Sequence, residues 1–377
     1  MRRLVGLLLI VLAWVAAPAG AQPPPAGPTN ISNTPGDSTA PAIAVAAAGA
    51  RHVAWQEDNG QVYVARSDTG GWTSGSLVTG DSPAMAAGSD GQPNLVYVAD
   101  DGTGNLEIYH SQWATDGWSP PINISLTSGA SAAPDIAVAA DGTPHFVWTD
   151  ATPGEPTLYH GTPSGAGPVY NARGTAPAIA MDSSDQVHLV WQEPDDRTGL
   201  GEVYHIFMRS AAGQSWSFAE RLSNSSDVDS RAPDIVIDPQ GTVHVAWIEG
   251  GAVQVRSGQP ANFSPAVTLS DVATGTPGVR LAADTAGNVF AAWTEGGTRV
   301  RAAVRWASTS AWETPQTVAE GLAGLGALAL DAGPAGTAQL AWSAHPSGST
   351  AGEIYVKTVE FAPPAMHKVY LPLIARR

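Results

Sequence analysis

The chain of 377 residues contains no cysteine, which excludes disulfide staples and thiol chemistry. Charge is also scarce. Asp, Glu, Lys and Arg make up 14% of the residues, with 34 acidic against 18 basic. A formal net charge of −16 excludes nucleic acid and anionic membrane as natural partners, because both select basic surfaces. After the first twenty residues no apolar run is long enough to span a bilayer. At the start, Arg2 and Arg3 precede an apolar run from Leu4 to Val15, followed by Ala19-Gly20-Ala21. That order of charge, greasy core and small residues reads as an export signal over residues 1–21. The Pro-rich stretch 22–28 then reads as a stiff linker, and the protein is expected to be secreted or held at the cell surface.

Turn-formers and aromatics are abundant, with 41 Gly, 30 Pro and 13 Trp. With few charges, that composition favours short strands and frequent turns over helices. A repeat organises them. Ala40-Pro41-Ala42-Ile43 leads to Trp55, Ser82-Pro83-Ala84-Met85 to Tyr97, and Ala133-Pro134-Asp135-Ile136 to Trp148. Ala176-Pro177-Ala178-Ile179 leads to Trp191, and Ala232-Pro233-Asp234-Ile235 to Trp247. In these five units the aromatic falls 14 residues after the proline, and two looser units end at Trp293 and Trp342. The aromatics are spaced by 42, 51, 43, 56, 46 and 49 residues, which suits a four-stranded propeller blade. The expectation is an all-β fold, a seven-bladed β-propeller of four-stranded antiparallel blades over residues 29–361. Strand one is the Ile-Ala-Val segment after the proline and strand two the His-Val-Ala-Trp segment. Strand three holds Tyr63, Tyr109, Tyr159, Tyr204 or Tyr355, and strand four opens on Trp72, Trp118, Trp216, Phe263 or Trp312.

The seventh unit has no strand four after Phe361. Thr29-Asn30-Ile31-Ser32 is similar to Ile122-Asn123-Ile124-Ser125, so residues ~28–34 are expected to supply the missing outer strand and close the ring. Residues 362–377 read as a tail, either a sorting or attachment segment or an edge strand.

The core Asp-x-x-Gly-x-x-His-x-x-Trp, complete from Asp238 to Trp247 and with Asp185 in the glycine place from Asp182 to Trp191, resembles the sialidase-like, BNR-repeat propellers. That superfamily contains exo-sialidases, other polysaccharide-active enzymes and non-catalytic lectins. The resemblance covers about residues 29–361 and implies the fold more than a function. In sialidases the Asp-box Ser-x-Asp-x-Gly-x-x-Trp lies between outer strands, whereas here Asp and Gly lie between inner ones. The arginines that hold a substrate carboxylate are not matched; Arg231-Ala232-Pro233 is the one Arg-x-Pro after the signal segment.

Two residues past the aromatic stand Glu57, Asp150, Glu193, Glu249 and Glu295, expected along one rim. They form either a hydrogen-bonding or cation-binding ring, or solvated strand ends and acceptors for loop N–H groups. Paired carboxylates can also serve as glycosidase acid and base, so Arg231, Glu57, Glu193 and Glu249 are the catalytic candidates. Three residues before the aromatic lie His52, Asn94, His145, His188 and His244. Sitting on separate blades, they cannot share an ion and are expected to fix blade packing, as are His110, His160 and His205. No metal site and no cofactor is expected. Asp100-Asp101 and Asp195-Asp196-Arg197 lie in the richest loops and form the binding candidates there, with Ca²⁺ as an alternative use of their oxygens. Asp135, Asp234 and Arg280 are placed at the channel mouth. Trp113 and Trp306 fall outside the repeat and are read either as sugar-stacking platforms or as packing. The favoured reading is a non-enzymatic binder of glycans or extracellular polysaccharide. The alternatives are a glycan-active enzyme, an exo-glycosidase or polysaccharide lyase, and a protein-interaction scaffold.

Overall fold

A computed structural model describes residues 27–364, apart from 47–48, 69–70, 115–116, 153, 211–214, 224, 226, 272–277 and 334–335. The segments read as signal, most of the linker (22–26) and most of the tail (365–377) lie outside the described residues. Those described form seven antiparallel sheets, and none forms a helix long and apolar enough to cross a membrane. Each sheet is a blade whose strands run in chain order from the inside out, except that the outermost strand of the seventh comes from the N-terminal end, Thr29–Asn30. The seven innermost strands are Ser38–Val45, Asp81–Ala87, Ser131–Val138, Thr175–Met181, Ser230–Ile237, Val279–Ala283 and Leu328–Ala332. Each touches the next, and the seventh touches the first. This is the seven-bladed β-propeller that the repeat implies.

No single core exists. Seven apolar clusters each join two neighbouring blades, and the repeat aromatic is the main filler of each. Trp55 packs against Ile354 and Val356 of blade seven, Trp191 against Val147 and Leu158 of blade three, and Trp342 against Phe290 and Val304 of blade six. All six repeat tryptophans are essentially sealed from solvent. Burying a side chain of that size is worth about 5 kcal/mol at the usual area coefficient. The strand-three tyrosine stands directly across from the aromatic in five blades, and the rings pair at 5.7 to 6.2 Å. Cross-strand aromatic pairs of this kind add to sheet stability beyond their area.

The inner strand begins earlier than the Ile-Ala-Val segment, because it runs through the proline. In all five complete units its pairing slips by one residue at that point. Thr39 faces Gln56 and Ala42 faces Ala54, leaving Ala40 and Pro41 opposite the single Trp55. This is a β-bulge. Proline fits there because the ladder is already interrupted and needs no N–H. The residue before it adopts a left-handed backbone: Ala40, Ser82, Ala133, Ala176 and Ala232 have φ of 47° to 51°. In blade six Gly278, with φ of 147°, occupies that place.

The outer strand is less regular than expected. It is split in blades two, four and five, as in Gly117–Trp118 and Ile122–Asn123, where Pro120 and Pro121 intervene. Trp312 makes only an isolated bridge to Arg305. At the N-terminal end, Thr29–Asn30 pairs antiparallel with Glu353–Glu360 on the outer side of blade seven, and Ile31 N–H donates to the Ile354 carbonyl at 2.9 Å.

The same lock recurs where that segment and Ile122–Ser125 dock. Ser32 Oγ donates to Glu353 and accepts from Ile354 N–H at 2.8 Å; Ser125 does so with Glu107 and Ile108, and Ser223 with Glu202 and Val203. Deleting residues 22–35 removes the outer strand, Ser32 and Ile31 together. The melting temperature is expected to drop sharply, as read by circular dichroism; an unchanged melt overturns a structural role for this segment.

Candidate functional site

The five carboxylates two residues past the aromatic turn toward their own blade. Trp55 Nε1–H donates to Glu57 at 2.6 Å, Trp148 to Asp150 at 3.3 Å, Trp191 to Glu193 at 2.9 Å and Trp247 to Glu249 at 3.0 Å. Serines at the start of the inner strands complete the latch: Ser38 donates to Glu57, Ser131 to Asp150 and Ser230 to Glu249. Glu295 instead receives Ser270 and faces Arg299 and Arg301, so the Trp293 indole has no partner. Of the alternatives, solvated strand ends do not describe Glu57, Asp150 and Glu295, which are buried. For Glu57 and Asp150 the cause is the indole N–H, which needs an acceptor inside the blade stack; Glu295 is held by Ser270 and the two arginines instead. Burial opposes ionisation of Asp150, yet hydrogen bonds from Thr152, Thr127 and Ser131 outweigh it and hold the carboxyl below its ordinary range. Burial pushes the Glu193 carboxyl up.

The histidines also serve packing. His145 Nδ1 lies 3.0 Å from His160 Nε2, and His188 Nδ1 lies 3.1 Å from His205 Nε2, both pairs within a blade. His110 meets Asn94, and His244 meets Ser257 and Asp238. Burial pushes His160 and His205 down to about 3 and His52, His110 and His188 down to about 4, so these rings are neutral in the fold. Trp306 is 4% exposed inside the core between blades six and seven, which rules out sugar stacking there. Trp113 is half-buried between Trp118, His52 and the Arg66 guanidinium.

The acidic loops spend their oxygens on their own turns. Asp100 Oδ1 accepts from Gly102 and Gly104 N–H, and Asp101 Oδ1 from Thr103 N–H and its hydroxyl. Asp195 accepts from Arg197 and Thr198 N–H, and Arg221 ties it to Glu202. Asp196 and Arg197 are exposed. Among the described residues no group of three or more His, Asp or Glu side chains converges as a metal cluster would. Arg231 sits one residue before the blade-five bulge and across from Ile248, half-buried. It is not among the residues lining the central cavity. Glu107, Glu202, Glu353 and Arg221 were missed by sequence reading; for Glu107 and Glu202 the available signal was a Glu at the head of strand three with Ser 18 or 21 residues later, whereas the serine of Glu353 is Ser32 at the other end of the chain.

Asp135, Asp234 and Arg280 do come together. They occupy equivalent places on the inner strands of blades three, five and six and line a cavity of about 420 Å³ in the channel. Asp135 and Asp234 follow the bulge, whose extra residue re-aims the next side chain, whereas Arg280 reaches the same place on an inner strand that pairs without a slip. Ala42, Ala84, Ala178 and Ala329 fill the corresponding places of the other blades. Asp135 Oδ2 accepts from Ile179 N–H of blade four at 2.9 Å, and Asp234 Oδ2 from Leu281 N–H of blade six at 2.6 Å. One layer deeper, Asp331 Oδ2 accepts from Val45 N–H at 2.7 Å and lines a second cavity of about 560 Å³ with Asp284, Met85 and Leu330. Enclosure in the channel, then the Asp234 charge, pushes the Asp135 carboxyl up to about 7 despite Arg280. Enclosure also raises Asp234, and it raises Asp331 to about 6. The channel thus offers a small half-open pocket with carboxylates and a guanidinium on one side and Ala and Pro on the other.

No family model matches the sequence, and no curated protein matches it significantly. Solved structures share its fold. A protein of unknown function from Dyadobacter fermentans superposes with a TM-score of 0.58 at 10% identity, over 90% of this chain and 99% of that one. An ulvan lyase, a polysaccharide lyase bound to a GlcA–Rha3S repeat, gives 0.56 at 10% identity over 89% and 93%. The Aleuria aurantia lectin with Fucα1-6GlcNAc gives 0.51 at 13% identity over 76% and 97%. At these identities the likeness is one of fold, in keeping with the fold-level resemblance to the sialidase-like propellers.

Two outcomes follow for variants. Glu249→Ala strands the Trp247 indole and is expected to cost about 1–3 kcal/mol in denaturant unfolding; a change near zero removes the latch. For Asp135 the folded carboxyl holds its proton far above the usual 3.8. Its contribution is therefore complete only below about 3.8 and is lost progressively as pH rises from there to about 7. Asp135→Asn is expected to melt with the parent near pH 3.5 and several degrees above it at pH 8. A constant difference at both pH values contradicts this.

Proposed function

We propose that this protein is exported and binds carbohydrate at the channel mouth without transforming it. The observation that carries the reading is the pocket itself, in which three blades converge Asp135, Asp234 and Arg280 beside Ala42, Ala84 and Pro41. Its volume falls in the range of small-ligand sites. Carboxylates and guanidinium groups satisfy the hydroxyl donors and acceptors of a sugar, and the alanine and proline wall suits the apolar face of a pyranose. The latched carboxylates Glu57, Asp150 and Glu249 are occupied by indole and serine donors, which favours binding over an acid–base pair on that rim. Propeller relatives that bind a fucoside and an acidic polysaccharide add support at the level of fold. Export rests on the first 21 residues.

The test is a glycan array and titration calorimetry with the full chain and with Asp234→Asn. Saccharide binding by the parent that weakens at least tenfold in the variant is the expected result; an empty array for the parent overturns the reading. One observation favours an enzymatic alternative: Asp135 holds its proton near neutrality beside a second carboxyl, the arrangement of a general acid and its partner. Hydrolysis of fluorogenic glycosides or of a polysaccharide panel, lost in Asp135→Asn, would move the assignment to catalysis.

A further inference from the structure

The seven inner strands present seven equivalent positions to the channel mouth, and their distribution is lopsided. Blades three, five and six carry Asp135, Asp234 and Arg280; the other four blades carry Ala42, Ala84, Ala178 and Ala329. At this level the enclosed charge is therefore two carboxyls against one guanidinium. One layer deeper Asp331 and Asp284 add two further carboxyls, and the two oxygens of Asp331 accept from Val45 and Ala332 N–H. The carboxylates cannot swing away from the deficit. Main-chain N–H groups of the next blade hold Asp135 and Asp234, while Arg280 Nη1 donates to the Val279 carbonyl at 3.1 Å. A narrow channel walled by protein screens this imbalance poorly. A ligand of hydroxyls alone supplies hydrogen bonds to the pocket but leaves its charge uncompensated.

We propose that the channel mouth selects a glycan bearing one positive charge, a hexosamine with a free amine, seated with its ammonium group between Asp135 and Asp234 and its ring against Ala42, Ala84 and Ala329. This deepens the carbohydrate-binding reading and rests on it. The ammonium donates to carboxylate oxygens already positioned by Ile179 and Leu281, so little reorganisation is needed on binding. Arg280 is the competing cation at the same level and lowers the demand for a second one. Enclosure raises both carboxyls, the Asp234 charge adds to the rise of Asp135, and Arg280 opposes both. The charged groups acting on Asp135 are Asp234 and Arg280 at its own level; the remaining inner strands contribute alanines there.

The experiment is titration calorimetry of the full chain at pH 7.5 with oligomers of glucosamine, the same oligomers N-acetylated, and glucose oligomers of equal length. Glucosamine oligomers are expected to bind at least tenfold more tightly than the N-acetylated ones. Asp234→Asn, which keeps an oxygen for Leu281 N–H, is expected to erase that preference. Arg280→Gln is expected to sharpen it, because removing the resident cation deepens the deficit. Parental melting temperatures within a few degrees confirm that both variants are folded. Equal affinity for amine and N-acetyl oligomers, or loss of amine binding in Arg280→Gln, overturns the charge selection and leaves carbohydrate binding standing. If no saccharide binds the parent, both readings fall.

Discussion

A buried tryptophan has one hydrogen to place, and much of this propeller follows from where it goes. Six indoles fill the interfaces between blades, where no water reaches them. In blades one, three, four and five the N–H is answered by a carboxylate two residues further on, on the same face of the same strand. That carboxylate then takes a serine from the inner strand in blades one, three and five, which ties the inner strand to its neighbour just before the bulge. The bulge leaves two inner residues facing the tryptophan and aims the following side chain at the axis. Interface, latch, bulge and channel lining form one chain of cause.

The repeat made most of this fold readable. A fixed interval between proline and aromatic identified the blades, and a recurring tyrosine such as Tyr63 or Tyr159 identified the third strands, whose rings meet the tryptophan. The kinship of Thr29–Ser32 with Ile122–Ser125 was visible too, and the shared Ser-to-Glu lock on strand three gives its physical reason. Histidines on separate blades were legible as packing residues, because a ring cannot bring equivalent positions together. Instead most meet an adjacent strand of their own blade, as His188 meets His205, while His52 meets Trp113 of blade two.

The direction of the rim carboxylates was not legible. Glu57 and Asp150 stand at strand ends beside loops, where charged residues usually meet water, and the pattern alone cannot say that an indole lies within reach. That depends on the neighbouring blade burying the indole, an event some fifty residues away in sequence for Trp148 and about three hundred for Trp55. The bulges were hinted at by each Ala-Pro pair but not their consequence, because one extra residue in a strand reverses which face the following side chains take. Asp100, Asp101 and Asp195 looked like ligand-holding groups and are turn-formers, since a carboxylate next to its own loop amides is satisfied more cheaply there than by an outside partner.

Sequence alone determined the number of blades, the identity of the interface fillers and the segment that pairs with the last sheet. All are local or periodic properties that survive being read one residue at a time. Tertiary structure decided which charges share a space. Asp135, Asp234 and Arg280 are 99 and 46 residues apart in sequence, and each looks like a single departure from an alanine position. Only closing seven strands around an axis sets two carboxyls and a guanidinium in one poorly screened pocket, and only there does their imbalance become a binding property.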